Sequence, residues 1–446
     1  MRSIRKFRPM EFDISYTSKE ITPWGGMVFL KQMLSKISFR EQINSCPDLP
    51  QPNSNRGHKV STIIEAFITS IWCGANRFMH TEVTRHDIAL GKIFDWNAIP
   101  AQDTYKRFFN KFDQTTNQKV SDYFYSWIFD NFKFDNFTLD IDSSVMTRYG
   151  QQEGAKKGYN PSKKGRSSHH PLIAFVNDVK LVANMWLRSG DTSSANNFLS
   201  FLEDTLSKLK NKTVSLIRLD SGFFQANILD YLEQTTKNYI IAAKFTQPIQ
   251  RVINASSSWV LLDDGIEICE QMYKSDSWKS PRRMVVVRQQ IKIRPKAPGK
   301  SLSLFPEDEV HRNYRYSAYV TNLEFAAAEI WRMYRGRGDA ENRIKELKYD
   351  FGFDSFNLNG FFPTEAALTF AMIAYNLMSL FRTFVLQEKT QKTLSTLRYR
   401  TFAIGAYFEK QNDRLVLKIA LNKKRRSWFS GLWNYPMKFP FEFSNA

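Results

Sequence analysis

Three strand-like segments in succession, followed by alternating helix and strand, occupy residues 137 to 245, and few architectures accept that order. "FTLDID" (137–142) alternates into a strand, and "PLIAFVNDVKLVANMWL" (171–187) reads as a hairpin turning at Asn177 and Asp178. "SGDTSSANNFLSFLEDTLSKLK" offers capping residues and then an amphipathic helix. "VSLIRLD" (214–220) is a largely apolar strand, "NILDYLEQTT" a helix, and "YIIAAKF" (239–245) a fifth strand. The order β-β-β-α-β-α-β predicts an α/β core, a mixed sheet with helices against it.

The flanks read differently. Residues 1–130 are expected to be helical, with "VSTIIEAFITSIWCGA" and "AQDTYKRFFNKF" (101–112) as two of the helices. The second sets Lys106, Arg107 and Lys111 beside Phe108, Phe109 and Phe112, which suits an amphipathic helix or the DNA-contacting helix of a helix-turn-helix. Residues 246–322 are strand-rich ("WVLLDD", "RMVVVRQQIKI", "RYSAYVTNL") and interrupted by the loop "RPKAPGKSLSLFPEDEVHRN", as an inserted β subdomain would be. Residues 323–388 return to helix. The tail, 389–446, holds a hairpin in "FAIGAYFEKQNDRLVLKIAL" and the basic cluster 423–426, "KKRR".

Composition narrows the partners. A net charge of +19, from 63 basic and 44 acidic residues, predicts attraction to a polyanion, nucleic acid first. Cys46, Cys73 and Cys269 are widely separated and form no CxxC pair, which argues against zinc and disulfides and fits a reducing cytoplasm. "MRSIRKFRPMEFDIS" lacks the apolar centre of a signal peptide. The longest apolar run, "AALTFAMIAYNLMSLF" (366–381), contains Asn376 and is bounded by Glu365 and Arg382, so a buried helix is expected rather than a membrane span.

Four acidic side chains stand where ligands bind. Asp140 and Asp142 lie two apart near the end of the first strand and so share a face. Asp220 ends the fourth strand. Glu341 belongs to "MYRGRGDAENRIKELKYDFGF" (333–353), a helical stretch. At 100° per residue, Tyr334, Arg337, Glu341 and Lys348 fall within an arc of about 60°, and Lys345 extends it. One carboxylate is thus flanked by a phenol, a guanidinium and ammonium groups. Ordinary i,i+4 salt bridges would explain such a stripe, and so would a surface facing phosphate. If the first and fourth strands are neighbours, Asp142, Asp220 and Glu341 converge on an all-oxygen site suited to Mg²⁺ or Mn²⁺, and two such ions are the usual device for phosphoryl displacement.

The spacing Tyr334-x2-Arg337-x3-Glu341-x6-Lys348 resembles the Tyr-Arg-Glu-Lys signature of a large group of bacterial insertion-sequence transposases of the DDE type. "LDIDSSV", "GQQEGAKKGYN" and "RLDSGFF" look like the group-1 transposase DDE domain, in the same order, and the 121-residue separation of Asp220 and Glu341 suits a family that inserts a subdomain there. The resemblance covers roughly 130 to 385. It implies a ribonuclease-H-like mixed-sheet core, 131–245 and 323–388, with the β-rich insertion at 246–322 and a DNA-binding region at 1–130.

It further implies that Asp142, Asp220 and Glu341 are catalytic metal ligands for two Mg²⁺ ions, with Mn²⁺ able to substitute. Asp142 is preferred to Asp140 because Ser143 and Ser144 follow it. Tyr334, Arg337 and Lys348 would hold the DNA backbone, and Lys345 extends their stripe. The segment 151–170, with Lys156, Lys157, Lys163, Lys164 and Arg166, could track phosphates as a loop, and Trp259 or Trp278 could stack on a base or simply pack. The implied activity is cut-and-paste transposition by a homodimer on double-stranded DNA: the terminal inverted repeats and then the target, in a bacterial cytoplasm. A ribonuclease-H-like resolvase and a silent DNA-binding descendant are the rivals.

Overall fold

Among the described residues nine strands form one sheet, in which the first and fourth expected strands are neighbours. The computed structural model describes residues 13–53, 57–161, 163–291, 313–388 and 390–443. The five core strands are β1 (Phe137–Ser143), β2 (Leu172–Val176), β3 (Leu181–Trp186), β4 (Val214–Leu219) and β5 (Tyr239–Ala242). β1 runs parallel to β4, and β4 parallel to β5, while β2 and β3 form the expected antiparallel hairpin on the other side. The alternating order dictates this arrangement, because a parallel neighbour needs a crossover, and helices α3 (Phe198–Leu209) and α4 (Ala226–Gln234) are the crossovers.

The strand-rich segment after β5 extends the same sheet. Its strands β6 (Val260–Asp263), β7 (Ile266–Tyr273), β8 (Arg282–Gln290) and β9 (Tyr314–Thr321) give the order β6-β7-β8-β9-β5-β4-β1-β2-β3. β9 returns antiparallel to β5, so the polar backbone edge of β5 is paired. The sequence reading missed β7, whose "IEICEQMY" mixes charged and apolar residues, and the helix Gln247–Asn254. The long loop expected at 294–313 lies, except for Asn313, outside the described residues, as do residues 1–12. Trp278 is buried against Phe224 and Tyr273, and the Trp259 ring lies 4.1 Å from the Arg288 guanidinium, so both tryptophans pack within the protein.

The N-terminal segment is helical as expected, including α1 (Val60–Trp72), the helix Gln102–Phe109 and α2 (Gln114–Asp130). Phe108, Phe109 and Phe112 are buried, leaving Arg107 and Lys111 exposed. These helices share the main core with α7 (Phe361–Leu380). By length and hydropathy Phe361–Leu386 could cross a membrane, yet 89% of its most apolar window is buried in the protein.

Two polar residues of that apolar helix, Asn376 and Glu365, have a definite task. Among the described residues β3 is an edge strand with no strand beyond it. Asn376 supplies the missing partner: its Oδ1 accepts from Val182 N at 2.8 Å and its Nδ2 donates to Val182 O at 2.9 Å. Glu365, about three turns earlier on the same helix face, continues the seal, accepting from Leu187 N at 3.0 Å and Asn117 Nδ2 at 3.0 Å. Burial pushes the Glu365 carboxyl up to about 7, against the pull of those two bonds.

Because that value lies above the ordinary 4.5, the stability Glu365 contributes is complete below about pH 4.5 and lost as pH rises through about 7. Glu365→Gln is expected to match the wild type at about pH 4 and to be the more stable protein at about pH 8, by up to about 3 kcal/mol. Parallel melting curves for the two proteins across that range would contradict this account.

Candidate active site

The register of β1 on β4 builds the site. Asp140 lies opposite Arg218 and Ile141 opposite Leu219, so Asp142 and Asp220 stand at adjacent ends of parallel strands. Strand ends of this kind are where α/β sheets bind ligands. Asp142 is buried, and its Oδ1 accepts from Ser143 N at 2.8 Å. Asp220 caps the turn Ser221–Phe223, its Oδ1 accepting from Gly222 N at 2.9 Å. A Cβ at 222 would stand 2.8 Å from Ser194 Oγ and 3.0 Å from Asp220 Oδ1, so a larger residue there must displace the serine or the capping carboxylate.

The neighbouring Asp140 has a different fate. Arg218 grips it with a two-pronged pair, Nε to Oδ1 at 2.6 Å and Nη2 to Oδ2 at 2.7 Å, both residues being buried. With both oxygens engaged, Asp140 is a structural anion, and Asp142 remains the available carboxylate of β1. The sequence reading missed Arg218. A lone arginine in the apolar run "VSLIRL" was the signal, because a charge inside a buried strand requires a partner.

The third element is helical, but it is two helices. α5 (Ala327–Arg335) ends and α6 (Gly338–Asp350) restarts, with Gly336 and Arg337 between them in right-handed helical conformation. The two pack into different cores. Ile330 and Trp331 of α5 join Leu216, Ile240 and Val285, whereas Ala340, Ile344 and Leu347 of α6 join the main core. The break therefore lies where the chain passes from one core to the other, over the ends of β1 and β4.

Here the expected stripe turns inward. Arg337 Nη2 lies 2.9 Å from Asp142 Oδ2, and Nη1 lies 3.7 Å from Glu341 Oε1. The Tyr334 hydroxyl donates to Leu219 O at 3.2 Å, with its ring 4.4 Å from that of Tyr319. Lys348 Nζ donates to Val145 O at 3.1 Å. Glu341 is largely exposed, in the first turn of α6, where the helix dipole favours an acid. Lys345 faces solvent.

Electrostatics bind these groups into one unit. Burial pushes the Asp142 carboxyl up to about 6; the Asp220 and Glu341 charges push the same way, and Arg337 opposes them. Burial works against the Arg337 charge too, but Asp142 and its neighbours outweigh it and the guanidinium stays protonated. Burial lowers the Lys348 pKa, against the attraction of Asp354 and Asp142.

The basic segment 151–170 is not the open loop expected. Met146–Thr147, Ser167–His169 and Lys156–Lys157 make a small antiparallel sheet, and Glu153 is tied to the start of α7 by accepting from Phe361 N at 2.9 Å. Lys156, Lys157, Lys163, Lys164 and Arg166 are exposed; Lys156 pairs with Asp191 at 3.1 Å, and Lys163 and Arg166 lie 5.8 Å from the Tyr149 ring.

Among the described residues no three His, Cys, Asp or Glu side chains are gathered closely enough to hold a metal ion. The donor set nonetheless suits a hard divalent cation. It is all carboxylate, and the crowding of charge that raises Asp142 is what a cation relieves. Arg337 supplies that countercharge in this structure.

The sequence model of the transposase DDE domain group 1 matches residues 7–435. The chain belongs to that transposase family. No curated protein matches this transposase significantly in sequence. Among solved structures it is similar to the piggyBac transposase in a synaptic complex with hairpin DNA, at a TM-score of 0.50 and 13% identity over 85% of this chain and 79% of that one, a likeness of fold alone.

The two aspartates of β1 are expected to respond unequally to neutralisation. Asp140→Asn strands the buried Arg218 and should cost about 3–5 kcal/mol on chemical denaturation. Asp142→Asn removes the nearest partner of Arg337 but leaves it the Asp220 charge and relieves a crowded carboxylate, so it should cost less, about 1 kcal/mol. Equal losses in the two variants would contradict their separate roles.

Proposed function

We propose that this transposase binds the terminal inverted repeats of its element and performs cut-and-paste strand cleavage and strand transfer at the ends of β1 and β4. The observation that carries the reading is the pairing of Asp142 and Asp220 on adjacent parallel strands, with Glu341 joined to them through Arg337. This is the heart of a ribonuclease-H-like core. Asp142, Asp220 and Glu341 would hold the divalent ions, Mg²⁺ or Mn²⁺ and two in number. Such ions supply charge that activates an attacking oxygen and stabilises a leaving one.

The remaining work belongs to the chain itself. Arg337 presents a fixed guanidinium suited to a phosphate at the cleaved end, Tyr334 holds the helix break against the end of β4, and Lys348 ties the last turn of α6 to Val145, just past β1. The exposed cations of 156–166 and Lys345 give the DNA backbone a positive approach to the site. The N-terminal helices would contribute end recognition, together with the tail helix Lys423–Trp433, which packs Phe429 and Leu432 on the core and opens on four cations. The working form on DNA is a homodimer, in the cytoplasm and on the nucleoid.

The test is a donor plasmid carrying the element's inverted repeats. Wild-type protein should release a linear element with Mg²⁺ or Mn²⁺, while Ca²⁺ supports binding without turnover. Asp142→Asn, Asp220→Asn and Glu341→Gln should each reduce cleavage by at least about 100-fold and leave end binding within about threefold. Arg337→Lys keeps the charge but loses the planar fork, and should remain at least about tenfold impaired. Cleavage of branched junctions in preference to element ends would favour a resolvase. End binding with no metal-dependent nicking would favour a silent DNA-binding protein.

A further inference from the structure

Arg218 touches more than Asp140. Its third nitrogen, Nη1, donates to the carbonyl of Met333 in the last turn of α5. That carbonyl is one of the acceptors a helix end leaves without an internal partner. One residue further on, Tyr334 is bonded to Leu219 O. The end of β4 therefore grips the final turn of α5 at two successive residues, just before the chain turns into Arg337 and Glu341.

Gly336 fits the same design. Its backbone lies in the ordinary right-handed helical region, so no unusual dihedral calls for glycine. Space does. A Cβ at 336 would stand 2.6 Å from Arg218 Nη1. A free arginine tip would swing away at little cost, but this one is clamped by both Asp140 oxygens. A larger residue at 336 must therefore displace either the guanidinium or the helix end.

We infer that Arg218, oriented by Asp140, is a positioning residue: it fixes the α5–α6 break, and through it the placement of Glu341 against Asp142 and Asp220. Neither Arg218 nor Asp140 needs to touch DNA. Three contacts in series (the buried Asp140–Arg218 pair, Arg218 to Met333 O, and close packing on Gly336) carry the register of β1 on β4 to the helix that bears the third carboxylate. The inference rests on the active site proposed above.

The experiment compares wild-type full-length protein with Asp140→Leu/Arg218→Met, Gly336→Ala and Asp142→Asn. Replacing both members of a buried pair by apolar residues avoids a stranded charge, so the double variant is expected to keep its melting temperature. Mn²⁺ affinity without DNA is measured by calorimetry, alongside end binding and cleavage. Both tether variants should bind DNA ends like the wild type, while Mn²⁺ affinity and cleavage each fall about 10–100-fold, the range for loss of a group that orients a ligand. Wild-type Mn²⁺ affinity and cleavage in a folded double variant would overturn the inference. If that variant does not fold, Gly336→Ala decides by the same criterion.

If wild type and Asp142→Asn alike bind no Mn²⁺, the proposed active site has failed instead. Hydrogen exchange at residues 337–341 then decides the tether: faster exchange in Gly336→Ala supports it, and unchanged exchange overturns it.

Discussion

Everything at the site depends on one register, that of β1 on β4. Parallel pairing of Asp140 with Arg218 brings opposite charges together inside the sheet and leaves the next acids, Asp142 and Asp220, side by side where the strands end. A slip of one residue would turn every side chain of β1 to the other face. It would also strand two buried charges, at several kcal/mol each. The ion pair therefore selects the register that gathers the acids. The same pairing gives the two aspartates different surroundings: both Asp140 oxygens are held by Arg218, while Asp142 is left crowded, with burial pushing its carboxyl up to about 6.

The sheet that carries this register is protected at one side by its own chain and at the other by a helix. β9 pairs with β5, so the core strands meet further strands there rather than water. Beyond β3, α7 uses Asn376 as a strand substitute and Glu365 as a second acceptor. An apolar helix would otherwise leave those backbone groups buried and unpaired, at about 1–3 kcal/mol for each group. The polar residues that argue against a membrane span in the sequence thus have a structural cause in the open edge beside them.

Much of this was legible in the sequence because it rests on local pattern. Alternation and capping located all five core strands and both crossover helices, and strand ends pointed to Asp142 and Asp220. The helical wheel correctly put Tyr334, Arg337, Glu341 and Lys348 on one side. What the wheel could not contain is what that side meets. Tyr334 bonds to a strand end, Arg337 to Asp142 and Lys348 to the carbonyl of Val145, and all three partners are distant in sequence. Arg218 was hidden for the same reason: its meaning lies in a partner 78 residues away. β7 escaped because the pattern of its neighbours in space, not its own composition, makes it a strand.

The return of β9 to β5 has a consequence for how this chain can change. The path leaves the core after Ala242 and re-enters it with β9, whose Tyr319 lies directly opposite Ala242. Everything between is a closed excursion whose two ends are neighbours, and α5 and α6 start only after it has closed. Loop-closure entropy grows slowly with length, at about 0.6 kcal/mol per doubling. The tip of the hairpin joining β6 to β7, at Asp264 and Gly265, is thus a place where this lineage can lengthen, shorten or replace sequence while the distance between its acids stays the same. The long stretch of chain between Asp220 and Glu341 is thus a detour, after which the chain comes back to the neighbourhood of Asp142, whose carboxyl feels both of their charges.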